Sequence, residues 1–487
     1  MTGGFVWTDA RVRDALDLPS ELTREGVAFT EISTDTRTLT RGALFVALEG
    51  ERFDGHLFLE EAAARGARGM VVSKFRVPGG DVGSVTEAGE GPVRYRVEDT
   101  LTALGQLARH RRRTLGRTVV GITGSSGKTS VKELISAALG HSRRVHATRA
   151  NRNNRVGVPL TLLEAEEETD LWVVELGTSE PGEIGLLTRI AEPDAGVVTT
   201  VSEAHLTGLG SLEGVLQEKL DLVRGTASDG PVVVGDRPEI LPRRARELRE
   251  EVHVCGLTDR ADPELRGELL EADGEGRYAV RWGGGVWRPA MPGRHGVENF
   301  VLALSTARCL GIDDLEGAAR AAEQVPPGPL RGEVERLGRL TLLLDCYNAN
   351  PQSVRAAVDL LLDLPAAGGK VAVLGSMLEL GDRASSLHRE VLGEVVRRPL
   401  DLVVAVGDFA VAAEALATET HSPGSERIAQ VLSVPGAGDA YERLRPHLSG
   451  SETVLLKASR GVALETLVAR FRADFGTSTA AGRRQEA

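Results

Sequence analysis

One stretch constrains this chain more than any other: VVGITGSSGKTSVKELISAALG, residues 119–140. Val119, Val120 and Ile122 form a short apolar run that reads as a buried strand. Gly124, Ser125, Ser126 and Gly127 make a tight loop, and Val131, Leu134, Ile135 and Ala138 then mark one stripe of a helix. Strand, glycine loop and helix in that order make a P-loop. Glycines let backbone N–H groups curl around an anion, and the helix start adds its unpaired amides and dipole. Lys128 is placed to reach the β- and γ-phosphates of a nucleotide, and Thr129 to offer a hydroxyl to Mg²⁺. The spacing departs from a standard P-loop, since Ile122 occupies the first-glycine position and Gly121 lies one residue back. The alternative is a glycine turn that merely precedes a helix. A GKT between an apolar run and an amphipathic helix argues against it.

The 487 residues suffice for three domains, and 41% hydrophobic content allows each a core. A formal net charge of −12 argues against non-specific nucleic-acid binding. Three cysteines without paired spacing offer neither a disulfide framework nor a thiolate metal site, as in a reducing compartment. The N-terminus lacks a basic start and long apolar run, and no stretch approaches 18 uninterrupted apolar residues. A cytoplasmic protein is expected.

Along the chain, βα alternation predicts an α/β protein of three domains. Residues 1–113 read as a small α/β domain, with strands at 43–48 and 69–73 and a helix over 100–113. Its basic end, RHRRR at 109–113, reads as a solvated helix C-terminus. Residues 114–326 read as a parallel sheet carrying the P-loop, with strands at 171–176, 195–201, 231–236 and 251–256. Within it, 265–291 alternates polar and apolar residues and predicts an antiparallel hairpin attached to the sheet. PPGP at 326–329 is a stiff joint. Residues 327–476 read as a second, Rossmann-like doubly wound sheet, and 477–487 as a flexible tail.

Ligands of open parallel sheets sit at the carboxyl ends of the strands. Glu175 ends the strand LWVVE and suits Mg²⁺ coordination, or caps the next helix. His205, just past another strand, is a ligand or a packed residue. Lys219 lies on a helix, where an exposed lysine is the plain expectation. The polar run ANRNN (150–154) binds an anion or shapes a turn. In DCYNANP (345–351), Asp345, Asn348 and Asn350 serve turn geometry or a ligand crevice. KASR (457–460) puts Lys457 at another strand end.

In order along nearly the whole chain, these segments resemble the Mur ligase family, the ATP-dependent amide-forming enzymes of peptidoglycan precursor synthesis. TGSSGKT (123–129) is similar to the family's compact P-loop, and ANRNNRVGVPLTLL (150–163) to its GNxNNxxGVPLTLL segment. STDTRTLTRGALFVALEGERFDGHLF (33–58) resembles the uridine-nucleotide-binding first domain. ELGTSEPGEI, AHLTGLGSLEGVLQEK, PGRHGVENFVLAL, DCYNANPQS and LGSMLELGD follow in family order. DCYNANP and MLELG resemble the branch that adds D-alanyl-D-alanine to UDP-MurNAc-tripeptide. The resemblance implies that Gly124, Ser125, Ser126, Gly127 and Lys128 hold the ATP phosphates. It implies that Thr129, Glu175 and His205 serve two Mg²⁺ ions, together with Lys219 as its anionic carbamate. Asn299, Arg331 and Asp345 would contact the nucleotide. Ser33, Asp35 and Arg37 would meet the uridine nucleotide, and Asn153, Asn154, Tyr347, Asn348 and Asn350 the substrates. A monomer is the family expectation.

The chain departs from the family pattern at Ala150 (for glycine), Thr200 (for asparagine), Ser376 (for aspartate) and Ala458 (for glycine). The last two lie in the domain expected to receive the dipeptide, so acceptor preference is where they bear. The implied reaction passes through an acyl phosphate that D-alanyl-D-alanine then intercepts, with domain closure excluding water. The alternatives are the ligase adding the third peptide residue, a folylpolyglutamate synthetase, a P-loop NTPase driving motion or regulation, and a degenerate nucleotide-binding scaffold. An uninterrupted DCYNANP argues against the first two. The third leaves the outer domains unexplained, and the fourth would have lost Lys128, Thr129, Glu175 or Lys219.

Overall fold

The computed structural model describes residues 4–50, 53–76, 91–419 and 429–476. The expected tail at 477–487 and most of the expected loop at 78–92 lie outside the described residues. Three sheets organise the chain, each built by βα alternation.

The first is a four-stranded parallel sheet in the order Ile32–Ser33, Leu44–Val46, Gly69–Ser73, Val93–Val97. The central sheet has six parallel strands. Their order is Val145–Ala147, Leu171–Glu175, Thr118–Thr123, Ala195–Val198, Val232–Gly235, His253–Cys255. Strands later in the chain therefore lie on both sides of the P-loop strand, the arrangement that opens a crevice at its carboxyl end. One face packs on the helices Glu183–Ala191 and Leu212–Gly225, through Ile184, Leu187, Leu216 and Leu220. The other packs on Lys128–Gly140 and Arg294–Cys309, through Val131, Leu134, Phe300 and Val301. Continuous apolar strands follow from burial on both faces.

The third sheet also has six strands, in the order Glu333–Leu337, Leu340–Asp345, Thr453–Lys457, Lys370–Leu374, Leu402–Val406, Gln430–Val434. Only the first pair is antiparallel. The chain's last strand fills the middle, so Lys457 comes to lie beside Asp345. The sheet is Rossmann-like in its layers, but its strand order is not the 3-2-1-4-5-6 of the dinucleotide fold.

Two expectations are corrected. Segment 265–291 forms a separate three-stranded antiparallel sheet, Glu268–Ala272, Tyr278–Trp282 and Gly285–Trp287. It packs through Val280 and Trp282 into the cluster containing Phe300 instead of extending the central sheet. The run RHRRR is not solvated throughout. The helix Thr100–Leu115 lies against the central domain, where Arg111 and Arg112 are buried. Arg111 donates to the Leu162 carbonyl (2.6 Å) and to that of Ala165. Arg112 donates to the carbonyls of Ala191 (3.2 Å) and Glu192 (2.8 Å) and to the Asp194 carboxylate (2.8 Å). These carbonyls end helices of the central domain, where unpaired acceptors and the negative dipole end attract a guanidinium.

Candidate active site

A cavity of about 560 Å³ lies between the central and C-terminal sheets. Carboxyl ends of strands from both face it, and Glu175, Asp345 and Lys457 line it together. Ser125, Ser126, Gly127, Lys128 and Thr129 form part of one wall. The P-loop is stapled to the strand beside it. The Ser125 amide donates to the Thr200 carbonyl (2.8 Å), and the Thr199 hydroxyl to the Ser126 carbonyl (2.5 Å). Gly124 (φ 149°) and Gly127 (φ 79°) take backbone angles that L side chains rarely adopt. A Cβ on Gly124 would lie 1.9 Å from the Thr199 hydroxyl, and one on Gly127 would lie 2.7 Å from Asn299 Oδ1.

Lys128 folds back over this loop, donating from Nζ to the Gly124 carbonyl (2.7 Å). Desolvation lowers its pKa, the Arg331 charge adds to that, and Glu175 opposes both. The Thr129 hydroxyl donates to Glu175 Oε2 (3.0 Å), and the Asn153 amide donates to Glu175 Oε1 (2.8 Å). One buried carboxylate thus gathers the P-loop threonine and the ANRNN segment. Asn154 also lines the cavity, but its side-chain oxygen accepts from the Gly157 amide (2.9 Å) at a helix start. Ala150 sits at φ 51°, in the left-handed region, which explains why a glycine is expected there.

The C-terminal domain closes the opposite wall. Arg331 lies 3.8 Å above the Tyr347 ring and donates to the Thr129 hydroxyl (3.2 Å) across the cavity. Lys457 Nζ donates to Asp345 Oδ2 (2.7 Å) and to the Asn348 carbonyl (2.8 Å). Asn350 lines the cavity, yet its side chain caps the helix Pro351–Asp363 in a capping box with Ser353. Asn299 and His205 complete the expected set on this cavity.

Gly124, whose carbonyl Lys128 covers, is not part of the lining, and two further expected groups lie away from it. Lys219 is wholly buried and is not part of the lining, and its ammonium finds no hydrogen-bond partner among the described residues. Burial drives its pKa well down, and the nearby charge of Lys128 adds to that. The neighbouring Glu218 is occupied in accepting from the Gly182 and Ile184 amides (2.7 Å each). Ser33, Asp35 and Arg37 stand on the first domain, remote from the lining. There the Arg37 guanidinium grips Asp35 (2.6 Å) and pulls its carboxyl down to about 2.

Ser376 and Ala458 do not line the cavity. The Ser376 hydroxyl accepts from the Asp408 amide (2.9 Å), and buried Ala458 lies under Gly375. Both departures are therefore accommodated in the packing behind the site.

Sequence reasoning did not single out His295, Thr199 and Gln352, which also line the cavity. His295 lies in the segment PGRHGVENF, and burial holds its pKa down. Among the described residues, no three His, Cys, Asp or Glu side chains form a ready metal cage. A divalent ion at Thr129 and Glu175 would thus depend on phosphate and water oxygens, which suits Mg²⁺.

Three family models match: "Mur ligase family, catalytic domain" over 28–112, "Mur ligase middle domain" over 122–307, and "Mur ligase, glutamate ligase domain" over 331–460. The UDP-N-acetylmuramoyl-tripeptide–D-alanyl-D-alanine ligase of Bacillus subtilis is 34% identical over 440 residues, 90% of this chain and 92% of that protein. A crystal structure of MurF from Acinetobacter baumannii is 28% identical, with a TM-score of 0.83 over 96% of this chain and 99% of that one. MurF ligase from Thermotoga maritima, solved in complex with ADP, is 26% identical with a TM-score of 0.75, covering 94% and 99%. With all three models matched in order and the likeness spanning nearly the whole length, the chain belongs to the Mur ligase family.

Proposed function

We propose that this enzyme joins D-alanyl-D-alanine to UDP-MurNAc-tripeptide at the expense of ATP, forming UDP-MurNAc-pentapeptide, ADP and phosphate. The observation that carries the proposal is the single cavity on which the P-loop, Glu175 and the DCYNANP strand end converge. Relatives bearing that activity in their names match over nine-tenths of the chain.

A carboxylate does not acylate an amine at neutral pH and must first be activated. The tripeptide's terminal carboxylate attacks the γ-phosphorus of ATP, forming an acyl phosphate and releasing ADP. The dipeptide amine then attacks the acyl carbon, loses a proton and expels phosphate. Lys128 and Arg331 reach the same space from opposite walls and offset the charge of two anions that otherwise repel. Asn299, beside Gly127, borders the nucleotide, and Asp345 holds Lys457 toward the crevice. Asn153 steers Glu175, while Tyr347 supports Arg331 from beneath. Closure of the C-terminal wall keeps water from the acyl phosphate.

Thr129 and Glu175 fit one Mg²⁺, with a hydroxyl and a carboxylate 3.0 Å apart beside the P-loop. The family resemblance assigns a second to His205 and to Lys219 as its carbamate, and Lys219 feels the charge of the P-loop Lys128. The buried Lys219 amine has no hydrogen-bond partner among the described residues, and burial lowers its pKa, which favours the neutral amine that adds CO₂ with loss of a proton. When bound, Mg²⁺ supplies charge neutralisation on the phosphates. Residues 1–113 form the uridine-nucleotide unit, with Ser33, Asp35 and Arg37 as contacts. Residues 114–326 form the ATP unit and 327–476 the acceptor unit, in a cytoplasmic monomer. No helix among the described residues is long and apolar enough to cross a membrane.

The test is phosphate release from ATP with UDP-MurNAc-tripeptide, with and without D-alanyl-D-alanine, while product mass is followed. Pentapeptide nucleotide forming only with all three substrates supports the proposal. ATP turnover indifferent to both peptide substrates rejects it.

A further inference from the structure

One contact between the central and C-terminal domains falls on a residue of the candidate metal site. The Glu379 carboxylate, from the C-terminal domain, bonds Nδ1 of His205, from the central domain. Beside it the Thr207 amide donates to the Glu379 carbonyl (3.1 Å). Both partners sit in the left-handed region, His205 at φ 56° and Glu379 at φ 64°. Such backbone is unfavourable for residues other than glycine, and it persists only where surrounding contacts over-determine it.

Those contacts are present behind Glu379. The Met377 amide donates to Nε2 of the buried His388 (2.8 Å), and the Leu378 amide to the Ser459 hydroxyl (3.0 Å). The Ser459 amide donates to the Ser376 carbonyl (3.2 Å). The loop is thus braced within its own domain, and Glu379 projects from it to the facing domain. At His205 the bond occupies Nδ1 and leaves Nε2 as the nitrogen available to a ligand. A carboxylate on one imidazole nitrogen sets the tautomer and raises the basicity of the other.

We infer that Glu379 is a positioning residue for His205: the C-terminal domain, on closing, orients the histidine and completes the second divalent-cation site. The inference rests on the proposed function and on His205 as a ligand. It makes formation of that site conditional on closure, so the triphosphate is fully neutralised only where water is already excluded.

The test uses the full chain with UDP-MurNAc-tripeptide and a non-hydrolysable ATP analogue, and titrates Mn²⁺ by electron paramagnetic resonance. Glu379→Gly suits the left-handed backbone while removing the carboxylate. It is expected to weaken the looser Mn²⁺ site about tenfold, with Glu379→Gln, which still accepts from Nδ1–H, within about twofold of wild type. His205→Ala and His205→Ala/Glu379→Gly are expected to bind alike. Wild-type Mn²⁺ affinity in Glu379→Gly or in His205→Ala overturns the inference. So does a further loss in the double variant, since Glu379 would then act independently of His205. Product formation by wild type is measured on the same preparation. Failure of the functional assignment shows there as absent pentapeptide nucleotide, and failure of this inference shows as unchanged Mn²⁺ binding.

Discussion

The two junctions of the central domain are built differently. Toward the N-terminal domain, two buried guanidiniums plug the ends of helices, and Val156, Leu160 and Leu163 pack into that domain's core. Toward the C-terminal domain, the contacts around the cavity are hydrogen bonds of partly exposed groups: Arg331 to Thr129, Gln352 to Thr200, Glu379 to His205. Opening the first would strand buried carbonyls and charges. Beside these polar contacts the second junction has an apolar part, because Leu206 and Leu209 share one buried cluster with Met377 and Leu380. The candidate site lies on the junction whose cavity contacts are polar.

That comparison can be broken in several ways, beginning with the largest effect. Lys128→Ala removes the P-loop cation from the central-domain wall, and it should lower kcat about 10³-fold with both junctions intact. Product formation under saturating substrates reads this directly. Arg331→Ala removes the cation supplied by the C-terminal wall and should cost about 10²-fold in kcat without loss of thermal stability. If instead it lowered stability and spared turnover, the two junctions would not differ as described. Arg111→Ala should do the reverse, costing about 2 kcal/mol by leaving the Leu162 and Ala165 carbonyls without a donor, while kcat of the folded fraction stays near wild type. Calorimetry alongside kinetics separates these cases.

The smallest effect concerns pH. His388 donates from Nδ1 to the Ala384 carbonyl (2.7 Å) and accepts at Nε2, so it is held neutral behind the Glu379 loop. Burial keeps its folded pKa below the ordinary value. The unfolded chain thus binds the extra proton first as pH falls. The stability this histidine supplies is complete above about pH 6.5 and declines below it, by at most about 1.4 kcal/mol per pH unit. The difference in melting temperature between wild type and His388→Gln should therefore change between pH 7.5 and 5.5. A difference independent of pH would place the titration elsewhere.

The P-loop was legible because its information is local: glycines, Lys128 and Thr129 sit within one turn of each other and of an apolar strand. The buried strands were legible for a similar reason, as unbroken apolar runs. Of the strands at sheet edges, His253–Cys255 falls in the expected 251–256, and most others were not legible. Val145–Ala147, Val93–Val97, Glu333–Leu337 and Gln430–Val434 are short or carry polar residues, because one edge or face is free. Arg111 was misread because a basic helix end looks alike whether it faces water or another domain's carbonyls. Asp345 and Lys457 are 112 positions apart and meet only because the last strand inserts into the middle of its sheet. Arg331 and Tyr347 came into view through family resemblance, and Glu379 only through the contact it makes in three dimensions.

The most direct measurement follows oxygen-18 from the terminal carboxylate of UDP-MurNAc-tripeptide. If that carboxylate attacks ATP in this cavity, the bridging oxygen leaves with the phosphate when the dipeptide amine displaces it. One labelled oxygen per phosphate released is the predicted result. Unlabelled phosphate formed alongside the pentapeptide nucleotide would contradict the account, because ATP would then have been cleaved by water and not by the substrate.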